Sequence, residues 1–246
     1  MVGRRLMLYE VPEHTAKRKP WEYIWLTIGP GSGVILTIQS DIDADTFMDL
    51  AVTAIGSRLL QDIIDTAHKS NLIRLQNICV EHAIFLAKHR HGNFVVSKLI
   101  QESVTPSFVS VLCHQFIGEI PSLAMHQRGS RVLERIMEHC DCDQIEFFFD
   151  ELVQHCTQII RHKYGNYVVQ HVLEHGPRFW RRRCLVSILG SAPFNGKSDI
   201  YVRCALAATY MRSDDEFVVR TLSSFQGCVD NVIDRIGYGC LRHDIV

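Results

Sequence analysis

The apolar residues of this chain fall into short helical blocks that return at a nearly fixed interval. In Tyr164-Gly165-Asn166-Tyr167-Val168-Val169-Gln170-His171-Val172-Leu173-Glu174-His175-Gly176, the residues Val168, Val169, Val172 and Leu173 recur at the spacing of one buried helix face. The same order of glycine, polar, planar, apolar, apolar follows Gly56, Gly92 and Gly129, so the four glycines are 36, 37 and 36 residues apart. A period of that length marks a stacked repeat protein, whose units cannot bury their apolar faces alone.

Each unit is predicted to hold three helical pieces. In the cleanest copy Glu146 to Gln158 is apolar-periodic and leads into Ile159 and Ile160, Gly165 interrupts the chain, Asn166 to Glu174 resumes the helical period, and Gly176-Pro177 stops it. Arg178 to Leu189 then starts the next outer helix. No alternating strand pattern accompanies these blocks, so an all-α solenoid with units of about 36 residues is expected.

The ends fit less well. Residues 1–40 read as a divergent N-terminal segment or a degenerate repeat, with the basic run Lys17-Arg18-Lys19-Pro20, an aromatic-rich stretch from Trp21 to Leu26, and the breaker cluster Gly29-Pro30-Gly31-Ser32-Gly33. Val34-Ile35-Leu36-Thr37-Ile38-Gln39 stands where the second helix of a degenerate unit would follow its glycine. Asp41, Asp43 and Asp45 mark a helix start, with Phe47, Leu50, Ala51 and Ala54 behind them at spacings of three and four. Residues 41–190 hold four clear units. Residues 191–246 read as degenerate C-terminal repeats or a cap, with a loop over 191–198, a helix from Asp199 to Tyr210 and a faint copy of the motif from Asp214 to Arg220.

Composition narrows the field. Hydrophobic residues make up 47% of the chain, ample for a continuous core, and a formal net charge of −1 excludes a wholesale basic coat. Nine cysteines, an odd number scattered without CxxC pairs, read as reduced thiols in a packed interior. No signal-peptide pattern and no apolar run of membrane-spanning length occur, so no membrane association is expected and a cytoplasmic location is, with a nuclear or nucleolar one as the alternative.

The candidate chemistry lies on the helix face that the apolar residues leave over. Asn166 and Gln170 are one turn apart, and Tyr167 stands about 100° around from Asn166. Two amides can hydrogen-bond the edge of a nucleobase while the flat residue beside them stacks on its face. The same slots hold Asn93, Phe94 and Ser97, then Ser130, Arg131 and Glu134, then Ser57, Arg58 and Gln61, and the middle one is planar in every copy. Stacked units would align these triplets along one concave face suited to unstacked single-stranded bases. Lys88, Arg90, His126, Arg128, His162 and Lys163, just before the glycines, either offer positive potential to phosphates or form ordinary solvated turns.

These residues resemble the Pumilio (PUF) RNA-binding repeat proteins. The resemblance spans about residues 45–190 and is strongest in Ser130-Arg131-Val132-Leu133-Glu134-Arg135-Ile136-Met137-Glu138-His139-Cys140 and in Tyr164 to Gly176. It implies a right-handed α-solenoid crescent of three-helix PUF-type repeats, each reading one base of single-stranded RNA bound antiparallel. In the family's code Asn with Gln reads uracil, Ser with Glu reads guanine, and Ser with Gln reads adenine. Carried over, Asn166 and Gln170 imply U, Ser130 and Glu134 imply G, and Ser57 and Gln61 imply A. Asn93 keeps the uracil-type residue but Ser97 replaces the Gln, which leaves that base open. The implied element is UGUA-like, in an mRNA 3′ UTR, and the implied role is post-transcriptional regulation of mRNA stability or translation. The resemblance further implies a monomer that binds repressor or deadenylation proteins on its convex face.

Two other binding classes are compatible with stacked helices. A protein-binding scaffold of the armadillo or HEAT type needs no planar residue between two polar ones. A ribosome-biogenesis PUF-like protein would grip structured nucleic acid through basic patches without a base code, which intact triplets and near-neutral charge speak against. An enzyme is not expected, since no Gly-rich phosphate loop or nucleophile motif occurs. His139-Cys140-Asp141-Cys142 and the pair His171 and His175 have the residue types of zinc ligands. Because His139-Cys140 and His175-Gly176 occupy equivalent helix ends, capping or packing is the expected role, with no cofactor and no metal.

Overall fold

The computed structural model describes residues 24–28, 34–38, 42–102, 106–140, 145–192 and 199–224. They fall into two compact units, residues 1–104 and 105–246. The basic run at 17–20, the glycine cluster at 29–33, the loop residues 193–198 and the ending at 225–246 lie outside the described residues.

The first unit opens on a hairpin. β1 (Ile24–Ile28) pairs antiparallel with β2 (Val34–Ile38), with Trp25 opposite Thr37 and Thr27 opposite Ile35. This corrects the helical reading of Val34 to Gln39. Four of the five β2 residues are β-branched, which costs them side-chain freedom in a helix and suits them to a pleated surface, and β1 supplies a partner of equal length. A lone hairpin is marginal in water, and β2 lies against the helix α2 described next.

Helices follow. α1 (Ala44–Ala51) starts on Asp43, whose carboxylate accepts the Thr46 N–H at 2.8 Å, and α2 (Ala54–Thr66) starts on Thr53, whose hydroxyl accepts the Gly56 N–H at 3.1 Å. Then come the long α3 (Lys69–Glu81), the short α4 (Ala83–Lys88) and α5 (Gly92–Gln101). α2 and α5 pack side by side, and Lys98 of α5 forms an ion pair with Asp65 of α2.

The second unit repeats the order long, short, triplet-bearing. α6 (Pro106–Gln115), α7 (Ile120–Ala124) and α8 (Gly129–His139) form one set, and α9 (Glu146–Gln154), α10 (Cys156–Ile159) and α11 (Gly165–His175) the next. The apolar stretch from Glu146 to Ile160 is thus two helices with a break at His155, where the sequence pattern shows one. α12 (Arg178–Leu189), α13 (Asp199–Arg212) and α14 (Glu216–Ser223) complete the unit, and Asp215 caps α14 by accepting the Phe217 N–H at 2.9 Å. α8, α11 and α13 pack in sequence as one layer, and α9 packs on α12. There the Phe149 ring stacks on Trp180 at 5.8 Å and takes the edge of Phe148 at 5.6 Å. Glu151 of α9 reaches the preceding set, accepting the N–H groups of Gly118 and Ile120 at 2.9 and 3.2 Å ahead of α7, where Gly118 has the φ of +82° that glycine tolerates.

The apolar face expected on α11 is the one that is buried. Val168, Val169, Val172 and Leu173 are fully enclosed, each such side chain contributing roughly 1.5–3 kcal/mol. Cys79, Cys113, Cys156 and Cys184 are buried free thiols, and burial pushes the Cys79 thiol up to about 12, which makes it inert. No helix among the described residues is long and apolar enough to cross a membrane.

Glycine stands in the first turn of the triplet helices because that turn presses on the backbone of the helix before it. A Cβ on Gly129 would stand 2.6 Å from the Leu123 carbonyl oxygen and 3.1 Å from its Cα, and one on Gly165 would press closer still on the Ile159 carbonyl oxygen. An imidazole then caps the turn. His126 Nδ1 accepts the N–H groups of Arg128 and Gly129 at 3.3 and 3.2 Å, and His89 Nδ1 accepts those of His91 and Gly92 at 3.2 Å each. His162 Nδ1 takes the Tyr164 N–H at 3.3 Å.

Gly129→Ala tests this contact. Helix propensity alone would make the change stabilising by roughly 0.5–1 kcal/mol. Overpacking against Leu123 predicts instead a net loss of about 1–3 kcal/mol, read from urea unfolding of the whole chain. A neutral or stabilised variant would show that the short helix yields and that the close approach is not what demands glycine.

Candidate functional site

The first polar slot of each triplet sits one residue after the glycine, at the floor of the inner helices. Ser57, Asn93, Ser130 and Asn166 are only 2, 3, 4 and 5% exposed. Their side chains turn back onto the preceding turn. Ser57 Oγ donates to the Ala54 carbonyl at 3.2 Å, Ser130 Oγ to Gln127 at 3.4 Å and Asn93 Nδ2 to His89 at 2.8 Å. Asn166 Nδ2 donates to the carbonyls of His162 and Lys163 at 3.1 and 2.9 Å, which uses both of its hydrogens and leaves Oδ1 as an acceptor.

The middle slot points out. Phe94 and Tyr167 are 47 and 46% exposed, large values for aromatic rings, and Arg58 and Arg131 are exposed as well. The last slot, Gln61, Ser97, Glu134 and Gln170, is half-buried one turn further on. Gln61 Nε2 donates to the Ser57 carbonyl at 2.9 Å, and Gln170 Nε2 donates to Glu174 Oε1 at 2.7 Å. In the first unit α2 and α5 bring the Ser57 and Asn93 triplets side by side. In the second unit α8 and α11 do the same for the Ser130 and Asn166 triplets. Each pair of helices offers flat surfaces flanked by hydrogen-bonding groups, which can hold a flat ring by its face and its polar edge.

Glu134 is the titrating member. Burial raises its carboxyl from the usual carboxylate range to about 7, Glu138 one turn on pushes the same way, and Arg131 and Arg135 only partly offset them. Near neutral pH it therefore exchanges between an acid, which can donate, and a carboxylate, which can only accept.

The basic residues before the glycines divide into two kinds. His126 and His162 cap the turns, each through an Nδ1 that accepts backbone N–H groups and so carries no proton there. Burial and the neighbouring Lys163 lower the His162 value further, holding it neutral. Lys163 and Arg90 are exposed, with Lys163 Nζ 4.7 Å above the Tyr164 ring, while Lys88 and Arg128 are half-buried.

The layout extends one helix beyond the four triplets. On α13, Asp199 is 6% exposed, Ile200 is 40% exposed and Arg203 is half-buried, in the relative positions of Asn166, Tyr167 and Gln170. The chemistry does not extend with it. Asp199 Oδ1 accepts Arg161 Nε at 2.8 Å, and Arg161 is tied further to the Thr157 carbonyl at 2.6 Å and to Ser191 Oγ at 3.3 Å. The helix itself is expected from the sequence, but a carboxylate for an amide and isoleucine for a planar residue hide its triplet positions. Glu174 was also missed, although it lies one turn after Gln170. The rings of His171 and His175 are 5.1 Å apart, and among the described residues no group of three or more His, Cys, Asp and Glu side chains is placed to hold a metal. Asp141 and Cys142 lie outside the described residues.

Comparison with known proteins places this geometry. Residues 82–115 match the Pumilio-family RNA binding repeat, and residues 121–199 match the NOP9-like PUF repeat domain. A Pumilio domain-containing protein of Schizosaccharomyces pombe is 30% identical over 121 residues, 48% of this chain and 18% of that protein. The suppressor protein MPT5 of Saccharomyces cerevisiae is 26% identical over 159 residues, 61% of this chain and 18% of that one. The chain thus spans about a fifth of the length of these curated relatives. Among solved structures, the Puf4 RNA binding domain bound to an HO endonuclease RNA 3′ UTR recognition sequence matches with a TM-score of 0.63 at 21% identity, over 78% of this chain and 64% of that one. The Puf3 RNA binding domain bound to Cox17 RNA matches with a TM-score of 0.60 at 24% identity, over 81% and 57%. These likenesses show the fold, an α-solenoid of three-helix Pumilio-type repeats.

Glu134 generates a pH prediction. Its folded value lies above the ~4.3 of an unfolded glutamate, so its stabilising contribution is complete below that value and is lost as pH rises through about 7. Urea unfolding from about pH 5.5 to about pH 8 should show this loss in the native chain and not in Glu134→Gln. His162 acts in the opposite sense, its lowered value withdrawing stability as pH falls, so the difference between the two chains is the readout. Parallel profiles would place Glu134 in water.

Proposed function

With the chain a divergent Pumilio (PUF) repeat protein, we propose that it binds single-stranded RNA, one base per triplet. The observation that carries this reading is the exposure of a planar side chain, Arg58, Phe94, Arg131 or Tyr167, between a buried polar floor and a half-buried polar group in each of the four triplets. A surface built only to pack helices has no use for solvent-facing rings at that register. The planar groups stack on bases, and the polar groups meet base edges. As a carboxylate, Glu134 accepts the N1–H and amino hydrogens of guanine, and the Gln170 oxygen suits the N3–H of uracil. The Ser57 and Gln61 pair takes adenine. The element proposed is UGUA-like, with the base at Asn93 and Ser97 set by stacking on Phe94 rather than by a full polar pair. The outcome proposed is control of mRNA stability or translation in the cytoplasm.

Fluorescence anisotropy at fixed salt tests the reading, with labelled RNA containing UGUA, the same RNA with UGU changed to ACA, and the matching DNA. The native chain should prefer the UGUA RNA over both. Tyr167→Ala should weaken binding by about 1–3 kcal/mol through lost stacking, and Gln170→Ala should weaken it and relax the choice of base at its position. Equal binding to all three nucleic acids would replace base reading by electrostatic contact. A folded chain that binds none would favour a protein-binding scaffold.

A further inference from the structure

Gln170 has two chemically opposite ends, and a contact with Glu174 fixes which way round they lie. Its Nε2 donates to Glu174 Oε1 at 2.7 Å. A carboxylate only accepts, so a flipped amide would set its oxygen against that of Glu174 and lose a charge-assisted hydrogen bond. Glu174 is itself held in place. Its side chain is 7% exposed, and its Oε2 lies 3.6 Å from Arg212 Nη1 on α13 and 3.7 Å from His175 Nε2.

The arrangement is particular to α11. The residue one turn past the last slot on α2 is Asp65, but there Gln61 turns its nitrogen to the Ser57 carbonyl and Asp65 pairs with Lys98. On α8 the same place holds Glu138, paired with Arg135 at 2.7 Å. Only on α11 among these does the acid hold the amide of the last slot.

We propose that Glu174, held by Arg212, is a positioning residue for base choice: it turns the Gln170 amide so that Oε1 faces the base, which makes this repeat select uracil over cytosine. The two pyrimidines are nearly the same shape and differ at N3, a donor in uracil and an acceptor in cytosine, and at C4, where the order is reversed, so the choice follows from Oε1 facing N3. A free glutamine would flip to suit either base. The inference rests on the reading of α11 as a base-reading helix, and names what sets its polarity.

The test uses the full chain and two RNAs that differ only by U or C at the first position of UGUA. Glu174→Gln keeps size but can donate or accept at its amide, so it removes the polarity. It should cut the uracil-to-cytosine affinity ratio about tenfold, chiefly by improving cytosine binding, while discrimination against adenine in place of the guanine facing Glu134 stays unchanged. A purely structural role would weaken all the RNAs together. Arg212→Gln, at a residue 52% exposed at its side chain, should shift the ratio in the same direction to a smaller extent and gives a second variant if the first folds poorly. Native binding with a ratio that neither variant moves overturns the proposal alone. Absence of RNA binding by the native chain overturns it together with the functional reading.

Discussion

The triplet geometry depends on one close approach, that of the glycine at the start of each inner helix to a carbonyl of the short helix before it. With Gly129 against Leu123 there is no room for a Cβ. The turn is then locked by a side-chain acceptor on its N–H groups, His126 on α8, His89 on α5 and Thr53 on α2. Once the turn is fixed, the next residue can only point down and back, which buries Ser57, Asn93, Ser130 and Asn166, and the one after it can only point out. Packing therefore decides where each slot sits before any ligand is considered.

That placement divides the polar groups by role. The floor residues spend their donors on the backbone, so they steady the helix start as much as they offer anything to a ligand. The half-buried slot one turn on carries the variable chemistry, and its electrostatics differ between repeats. On α8 the acid is in the slot itself, and burial with Glu138 nearby keeps Glu134 near the point of titration. On α11 the acid stands behind the slot, pinned by Arg212, and acts on the orientation of a neutral amide. On the proposed reading, the same residue type serves as a proton-dependent contact in one repeat and as a fixed brace in the next.

Much of this was legible in the sequence because glycine spacing and the apolar face are direct consequences of packing. The buried face of α11 and the exposed ring of Tyr167 follow from helical period alone. What failed depends on partners that period does not reveal. Val34 to Ile38 became a strand because its β-branched residues had Ile24 to Ile28 to pair with. The capping role of His126 and His162 also went unread, although their recurrence three residues before a glycine is a visible sign of it. The orientation of the Gln170 amide had no signature in the sequence, since it turns on a 2.7 Å contact and on Arg212, at the far end of a helix whose triplet positions hold none of the familiar residues.

α13 separates what the fold needs from what the ligand needs. It keeps the buried floor at Asp199, the outward position at Ile200 and the packing on α11, so the structural demands of a repeat are met. It gives up the planar group, and its floor carboxylate is neutralised by Arg161. Nothing in helix packing requires the outward residue to be flat, because that residue touches solvent rather than a neighbouring helix. Its planarity at Arg58, Phe94, Arg131 and Tyr167, and the loss of planarity where the floor is sealed by an ion pair, therefore trace the binding surface more sharply than the repeat period does.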